Sequence, residues 1–275
     1  MKAETTSDRS GAVDIWETKS SGPEGAERRV LLLAGALCPA AFYDDVAAQP
    51  AVRDADVQLI AATMPGHAGT APLPDPSIEH YASSAGELAS EHRCDMIVGH
   101  SLGANVALEM AACGVHEGPF LLLSPSFSRK DESIFPRALD RMSKVLGTLP
   151  YRLMFKLLGV AMRGVVPADE YDRLVTEMKN NNPHDVRVQN ALYMKYLDRH
   201  KALVPRLVDS GAVATVVFGE NDDIKLTDQE ASEIEACERL ELLVLPGASH
   251  LTMIDEPARI AELIATPQEN SPSPT

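Results

Sequence analysis

One stretch of the chain carries the most information about its architecture: Cys94-Asp-Met-Ile-Val-Gly99-His100-Ser101-Leu102-Gly103-Ala104-Asn105. Apolar residues up to Val98 predict a buried strand, and the small and apolar residues after Gly103 predict a helix. The motif Gly-x-Ser-x-Gly lies between them, which puts Ser101 at a tight strand-to-helix turn. Such a turn holds a serine in a strained backbone geometry, and the helix N-terminus behind it favours negative charge. Ser101 is therefore a candidate nucleophile; the alternative is a packed turn whose serine only caps the helix.

Short apolar runs recur along the rest of the chain and alternate with helix-like segments. Each run is continuously apolar and ends in a Gly, Ser or Pro cluster, which is typical of strands buried on both faces of a parallel sheet. The predicted strands are Arg29–Leu33, Val57–Ala62, Asp95–Val98, Phe120–Leu123, Ala212–Phe218 and Leu240–Leu245, with Val13–Thr18 as an antiparallel edge strand. The alternation predicts an α/β fold with a mostly parallel, doubly wound sheet.

Helix start signals support this alternation. Asp75-Pro76 predicts an N-cap with proline at the first helical position, leading into Ser77–His92. A capping box at Thr227–Glu230 predicts a helix to about Arg239. Glu256-Pro257 predicts the start of a last helix that runs through Ile264.

About 90 residues between Leu123 and Ala212 break the alternation, because they show helical periodicity and no convincing strand. Four helices are predicted there: Pro136–Leu146, Tyr151–Met162, Asp169–Asn180 and Asp185–His200. We interpret residues 125–210 as a helical cap inserted into a core formed by residues 12–124 and 211–266. The polar residues 1–11 and the Pro/Ser-rich residues 267–275 are predicted to be disordered tails.

A serine nucleophile needs a base, and the base needs a carboxylate that orients it. His250 follows the last predicted strand in Pro246-Gly-Ala-Ser-His250 and is better placed than the other seven histidines. The turn after the preceding strand, Gly219-Glu-Asn-Asp222-Asp223, offers three carboxylates. Asp222 is our choice for the acid, with Asp223 as the alternative and Glu220 as a solvated turn residue.

With Ser101, Asp222 and His250 in that order, the sequence resembles the α/β-hydrolase family over roughly residues 25 to 265. Leu31-Leu-Leu-Ala34-Gly35-Ala36-Leu37 is similar to the family's His-Gly oxyanion loop, and Met64-Pro-Gly-His67-Ala-Gly to its Pro-Gly-His-Gly loop. The resemblance implies that the backbone N–H groups of Leu102 and Ala36 form the oxyanion hole. The family histidine is replaced by Ala34, so Leu37 stays open as the second donor. His67 is expected to be a structural loop residue.

Composition limits the partners and the location of the chain. Its 275 residues include 25 basic and 40 acidic side chains, a formal charge of −15, which excludes nucleic acid and disfavours anionic lipid. The longest apolar stretch, Val30–Phe42, is too short for stable membrane insertion, and no secretory signal is evident at the start. Four widely spaced cysteines predict reduced thiols. A cytoplasmic protein fits these features, and a homodimer is left open.

These features predict a serine hydrolase that cleaves a small to medium apolar ester, thioester or lactone through an acyl-enzyme. The alternatives are a C–C bond hydrolase or lyase on the same fold, and a non-catalytic binding or receptor protein. No histidine and carboxylate cluster has metal-ligand spacing, so neither a metal nor an organic cofactor is implied. Five methionines in the cap predict either an adaptable apolar lining or simple helix packing. Leu149–Val166, with interleaved cations, is expected to be a cap or dimer helix rather than a surface for lipid or an acidic substrate.

Overall fold

Seven strands form one sheet in the computed structural model, which describes residues 15–166, 168 and 170–266. The strands are β1 (Glu17–Ser21), β2 (Arg28–Leu33), β3 (Val57–Thr63), β4 (Met96–His100), β5 (Phe120–Leu123), β6 (Ala214–Gly219) and β7 (Leu240–Leu245). Their order is β1-β3-β2-β4-β5-β6-β7, and only the pairing of β1 with β3 is antiparallel. The predicted mostly parallel, doubly wound sheet is confirmed.

Twelve α-helices and one short 3-10 helix (Ala40–Tyr43) accompany this sheet in the described part of the chain. The α-helices are α1 (Asp44–Ala47), α2 (Pro50–Arg53), α3 (Ile78–Glu91), α4 (Leu102–Cys113), α5 (Ile134–Leu146), α6 (Leu149–Ala161), α7 (Tyr171–Lys179), α8 (Pro183–His200), α9 (Val204–Ser210), α10 (Asp228–Glu235), α11 (Thr252–Asp255) and α12 (Pro257–Ala265). Within the described ranges, each helix is too short or too polar to span a lipid bilayer.

Both faces of the sheet are covered, which explains why the central strands are continuously apolar. Leu31 and Leu33 of β2 pack in a core layer with α3, α4 and α9, whereas Val30 and Leu32 pack on the other side with α1, α2 and α12. The edge strand β7 is the exception: Glu241 and Val244 are exposed. The expectation that this run is buried on both faces is wrong, because β7 is the last strand of the sheet and, among the described residues, pairs only with β6.

Several element boundaries differ from those predicted. The edge strand spans Glu17–Ser21 rather than the predicted Val13–Thr18, and residues 13 and 14 lie outside the described residues. Ser77, not Asp75, caps α3, since its hydroxyl accepts the His80 N–H, while Asp75 accepts from Ser77. The capping box at Thr227–Glu230 is confirmed, but its helix ends at Glu235. The predicted tails, 1–11 and 267–275, lie outside the described residues.

The segment between β5 and β6 contains five helices, α5 to α9. Four of them match the four predicted helices to within a few residues. The fifth, α9, was not predicted and packs against α4 and α10 rather than against the other four. The division of the chain into a core and a cap at residues 125 and 210 stays a prediction.

Candidate active site

Ser101 occupies a sharp turn between β4 and α4. Its φ of 52° and ψ of −115° are in a region that residues with a side chain rarely adopt, and β4 continues to His100 rather than ending at Val98. The Ser101 N–H donates to the Leu123 carbonyl at 2.8 Å, so β5 holds the turn from one side. The Ser101 hydroxyl makes no cap hydrogen bond to α4, which argues against a purely capping role.

The two motif glycines are required because backbone passes close to backbone at this turn. A Cβ at Gly103 would lie 2.4 Å from the Leu33 carbonyl oxygen at the end of β2. A Cβ at Gly99 would lie 2.3 Å from the Gly103 carbonyl oxygen. Both distances are well below a carbon–oxygen van der Waals contact, so any side chain would push α4 away from the sheet.

Asp222 and His250 come together on the loops that follow β6 and β7. His250 Nδ1 lies 2.9 Å from Asp222 Oδ1, and the same oxygen accepts the Ile224 N–H at 2.8 Å. Burial alone raises the pKa of Asp222, but the contacts with His250, Ser124 and Ile224 outweigh it and hold that pKa below its usual range. Asp222 is therefore a carboxylate at neutral pH. Asp223 and Glu220 are exposed, and Glu220 accepts the Gly247 N–H instead.

His100 links the Ser101 turn to the loop that carries His250. Its Nε2 donates to the His250 carbonyl oxygen at 2.9 Å, and the two imidazole centroids are 4.9 Å apart. Burial and the neighbouring His250 lower the pKa of His100 to about 3, so the ring is neutral. In the described part of the chain, the Ser101 hydroxyl has no direct hydrogen bond to His250. The His100 contact could not be predicted from sequence patterns, because it joins residues 150 positions apart.

The two candidates for the second oxyanion donor, Ala36 and Leu37, differ in their contacts in the loop after β2. Leu37 has a positive φ of 69°, and its N–H donates to His67 Nδ1 at 3.2 Å. Asn181 fixes the same residue from the other side by donating to the Leu37 carbonyl at 3.0 Å. Because the Leu37 N–H is already engaged, Ala36 is the better candidate, and it lies with Leu102 and Ser101 around one cavity.

A cavity of about 150 Å³ opens at Ser101. The core contributes Ala36, Leu37, His67, Ser101 and Leu102, and the segment after β5 contributes Glu132, Phe135, Pro136, Tyr151, Val186, Gln189, Asn190 and Tyr193. Asn190 orders this second wall, because its amide donates to the Tyr151 hydroxyl and to the Pro136 carbonyl. None of the five methionines of this segment contributes to the described lining, so the adaptable lining is not seen. Met178 and Met194 are instead buried among neighbouring helices.

One acidic and no basic side chain lines the cavity, among the residues that the structure describes. The Glu132 oxygens accept hydrogen bonds from the Ser126 hydroxyl at 3.0 Å and the Ser133 N–H at 2.9 Å. His67 adds a buried, neutral imidazole: burial lowers its pKa to about 4, although Asn181 and Gln189 act in the opposite direction. The cavity thus offers no cation for an anionic substrate group.

The chain belongs to the alpha/beta hydrolase family, whose model matches residues 30–263. This confirms the predicted resemblance and the prediction of an α/β-hydrolase-fold enzyme at the level of the family. No curated protein matches the chain in sequence.

Solved structures agree with the fold. A thermophilic esterase from Thermogutta terrifontis has a TM-score of 0.69 and 14% identity, over 90% of this chain and 91% of that one. A hydrolase from Pseudomonas aeruginosa PA01 has a TM-score of 0.70 and 16% identity, over 90% and 92%. The thioesterase domain from the curacin biosynthetic pathway has a TM-score of 0.66 and 17% identity, over 91% and 95%. At these identities the likeness shows the fold alone.

The low pKa of His67 makes the stability of the protein dependent on pH. The unfolded chain takes up a proton near pH 6.5, whereas folded His67 resists it down to about pH 4. We expect the free energy of unfolding to decrease as the pH falls through this window, with about 3 kcal/mol from His67 at most. In His67→Asn, which retains an acceptor for the Leu37 N–H, the decrease should be smaller, as measured by urea unfolding at each pH. Exposed His184→Asn is the control, and an unchanged slope in His67→Asn contradicts this account.

Proposed function

We propose that the protein is a serine hydrolase that cleaves small, uncharged apolar esters, thioesters or lactones. Ser101 is the nucleophile, His250 the base and Asp222 the acid that orients it. The observation that carries the proposal is the hydrogen bond of His250 to the buried Asp222, on loops tied through His100 to the strained Ser101 turn. These are the parts that acyl transfer by serine requires.

In the proposed reaction, the Ser101 Oγ attacks the substrate carbonyl while its proton passes to Nε2 of His250. The Nδ1–H of His250 donates to Asp222, whose negative charge stabilises the imidazolium that forms. The N–H groups of Leu102 and Ala36 hold the oxyanion, since the Leu37 N–H is bound to His67. His250 then protonates the leaving group, and a water molecule, deprotonated by His250, releases the acid from Ser101.

The cavity supports a substrate with a short, uncharged group on the acyl side. Its volume of about 150 Å³ is below the range of roughly 300–1,000 Å³ that is usual for ligand pockets. Phe135, Tyr151 and Val186 present apolar surface, and the carboxyl group of Glu132 disfavours a substrate carboxylate beside it. Both features favour a small neutral ester over a polymer or an acidic metabolite.

A fluorophosphonate probe tests the nucleophile. We expect one covalent adduct on the wild type, detected by mass spectrometry, and none on Ser101→Ala, because the probe reacts only with an activated serine. Ser83→Ala, on the exposed side of α3, is the matched control and should retain the adduct. A wild type that does not react, or an adduct that survives in Ser101→Ala, would remove Ser101 from this role and leave a non-catalytic binding protein as the better interpretation.

Matched asparagine variants separate the two candidate acids. In Asp222→Asn, kcat for para-nitrophenyl butyrate should fall by about a thousandfold, since the imidazolium loses its carboxylate. Asp223→Asn should stay close to wild type, because that side chain is exposed and Asp222 is the residue bonded to His250. Circular dichroism verifies that both variants fold. Similar losses in the two variants, or a larger loss in Asp223→Asn, would contradict the assignment.

A series of para-nitrophenyl esters tests the substrate class. We expect kcat/KM to fall by about tenfold or more from the butyrate to the octanoate ester, because a longer acyl chain exceeds the cavity. Val186→Ala, which removes two methyl groups from the lining, should recover part of the octanoate activity, and buried Val175→Ala, outside the lining, should not. A β-diketone is included in the series, and faster cleavage of it than of any ester would favour the C–C hydrolase alternative.

A further inference from the structure

Exposed apolar side chains are concentrated on α5 and α6. Twelve large apolar residues are exposed in the described part of the chain, and ten of them lie between residues 134 and 165. We define the α5–α6 face by six of these: Ile134, Phe135, Val145, Leu153, Leu157 and Val160. Val145 and Ile134 are 85% and 78% exposed, which is unusual for side chains that gain free energy from burial.

The pattern on α6 is that of an amphipathic helix. Leu149, Leu153, Leu157 and Val160 recur at helical spacing and form one exposed stripe. On the opposite side of the same helix, Tyr151 and Leu158 are buried against neighbouring helices. The helix is therefore already packed on one side, and the exposed stripe is additional to what the fold needs.

Cations accompany this stripe in a chain that is otherwise strongly acidic. Residues 134–166 contain six Lys or Arg and a single acidic residue, whereas the whole chain has 25 basic and 40 acidic side chains. That acidic residue, Asp140, is buried and bound to Lys144 and Arg129. Arg152 and Lys156, each one residue before a stripe leucine, have no acidic partner among the residues that the structure describes. The α5–α6 face therefore combines exposed apolar groups with unneutralised positive charge.

The α5–α6 face continues to the entrance of the Ser101 cavity. Phe135 is 58% exposed on this face and also lines the cavity, and its neighbour Pro136 lines the cavity as well. Tyr151, on the buried side of α6, forms another part of the same wall. A surface that covers the α5–α6 face would therefore meet the cavity at its mouth.

The positive charge decides between the possible occupants. A twofold dimer through this face would bring the same face of both copies together, so the positive charges of Arg152 and Lys156 on the two copies would oppose the contact. A lipid surface with anionic headgroups fits both components, because the stripe can enter the acyl boundary while the cations remain among the headgroups. Each such cation is attracted to an anionic leaflet, a gain that the net charge of the chain does not reveal.

We propose that the α5–α6 face binds an anionic lipid surface peripherally and presents the mouth of the Ser101 cavity to the apolar phase. Binding requires no chemistry at Ser101, so it is independent of the proposed hydrolase activity. It also differs from membrane insertion, since α6 lies along the surface instead of crossing it.

Vesicle flotation with the full chain tests this proposal. We expect the wild type to float with vesicles of phosphatidylcholine and phosphatidylglycerol, and to bind pure phosphatidylcholine vesicles at least about tenfold more weakly. Val160→Ser should weaken binding about tenfold, whereas Val244→Ser, an exposed valine on β7, should not. Arg152→Glu should also weaken binding about tenfold, and Arg53→Glu, at an exposed arginine on α2, should not.

Three results would overturn the proposal: no binding to the anionic vesicles, equal binding to neutral vesicles, or equal losses in the matched controls. Analytical ultracentrifugation provides a further check. If the wild type is a dimer that Val160→Ser converts to a monomer, the α5–α6 face belongs to a self-contact and the lipid assignment is wrong. Because Ser101→Ala should float like the wild type, a failure of the hydrolase assignment can be distinguished from a failure of this one.

Discussion

The close approach of the Gly103 backbone to the end of β2 is the constraint on which the rest of the site depends. With no Cβ in the way, α4 begins directly beside the Leu33 carbonyl, and its first N–H, that of Leu102, lies next to the loop that follows β2. The same contact accounts for the positive φ of Ser101, because the chain must reverse between a strand and a helix that almost touch. The strained turn at Ser101 and the backbone N–H of Leu102 beside it are thus two results of one packing contact.

A second close contact of the same kind unites the other two loops. A Cβ on Gly219 would lie 2.3 Å from the Ser249 carbonyl oxygen, so the turn after β6 passes directly over the turn before His250. Asn221 reinforces this by donating its N–H to the Ala248 carbonyl. The backbone contacts between the two loops therefore bring His250 and Asp222 together, and the side chains then form the hydrogen bond. His100 then connects this pair of loops to the Ser101 turn through the His250 carbonyl.

The fold could be predicted from the sequence because its signals are local. Continuous apolar runs mark strands buried on both faces, and the capping box at Thr227 marks a helix start through residues only three positions apart. Ser101, Asp222 and His250 could be proposed for a similar reason, since each follows a strand in a parallel sheet whose carboxyl ends meet at one edge. The positions of these three residues after their strands therefore predict that they lie close together, although they are far apart in the sequence.

The features that could not be predicted from the sequence depend on contacts between residues far apart in the chain. The bond from Leu37 to His67, which bears on the choice of oxyanion donor, joins two loops 30 residues apart and leaves no periodic trace. The lining of the cavity by Tyr151, Gln189 and Asn190 depends on how α6 and α8 cross, and helical periodicity fixes which residues face inward but not which cavity they reach. The helix α9 could not be predicted, because its seven residues are too few to show a clear helical period.

The net charge of the chain does not predict the local charge of each of its surfaces. The formal charge of −15 describes the whole molecule at a distance, but in physiological salt interactions between exposed charges decay over about 8 Å. A partner therefore senses the face that it touches, and the α5–α6 face is basic and apolar within an acidic protein. The excess of acidic residues keeps the remaining surface solvated and repels anionic surfaces there. A basic face of this kind orients the molecule, because it can approach a negative surface with less repulsion than an acidic face.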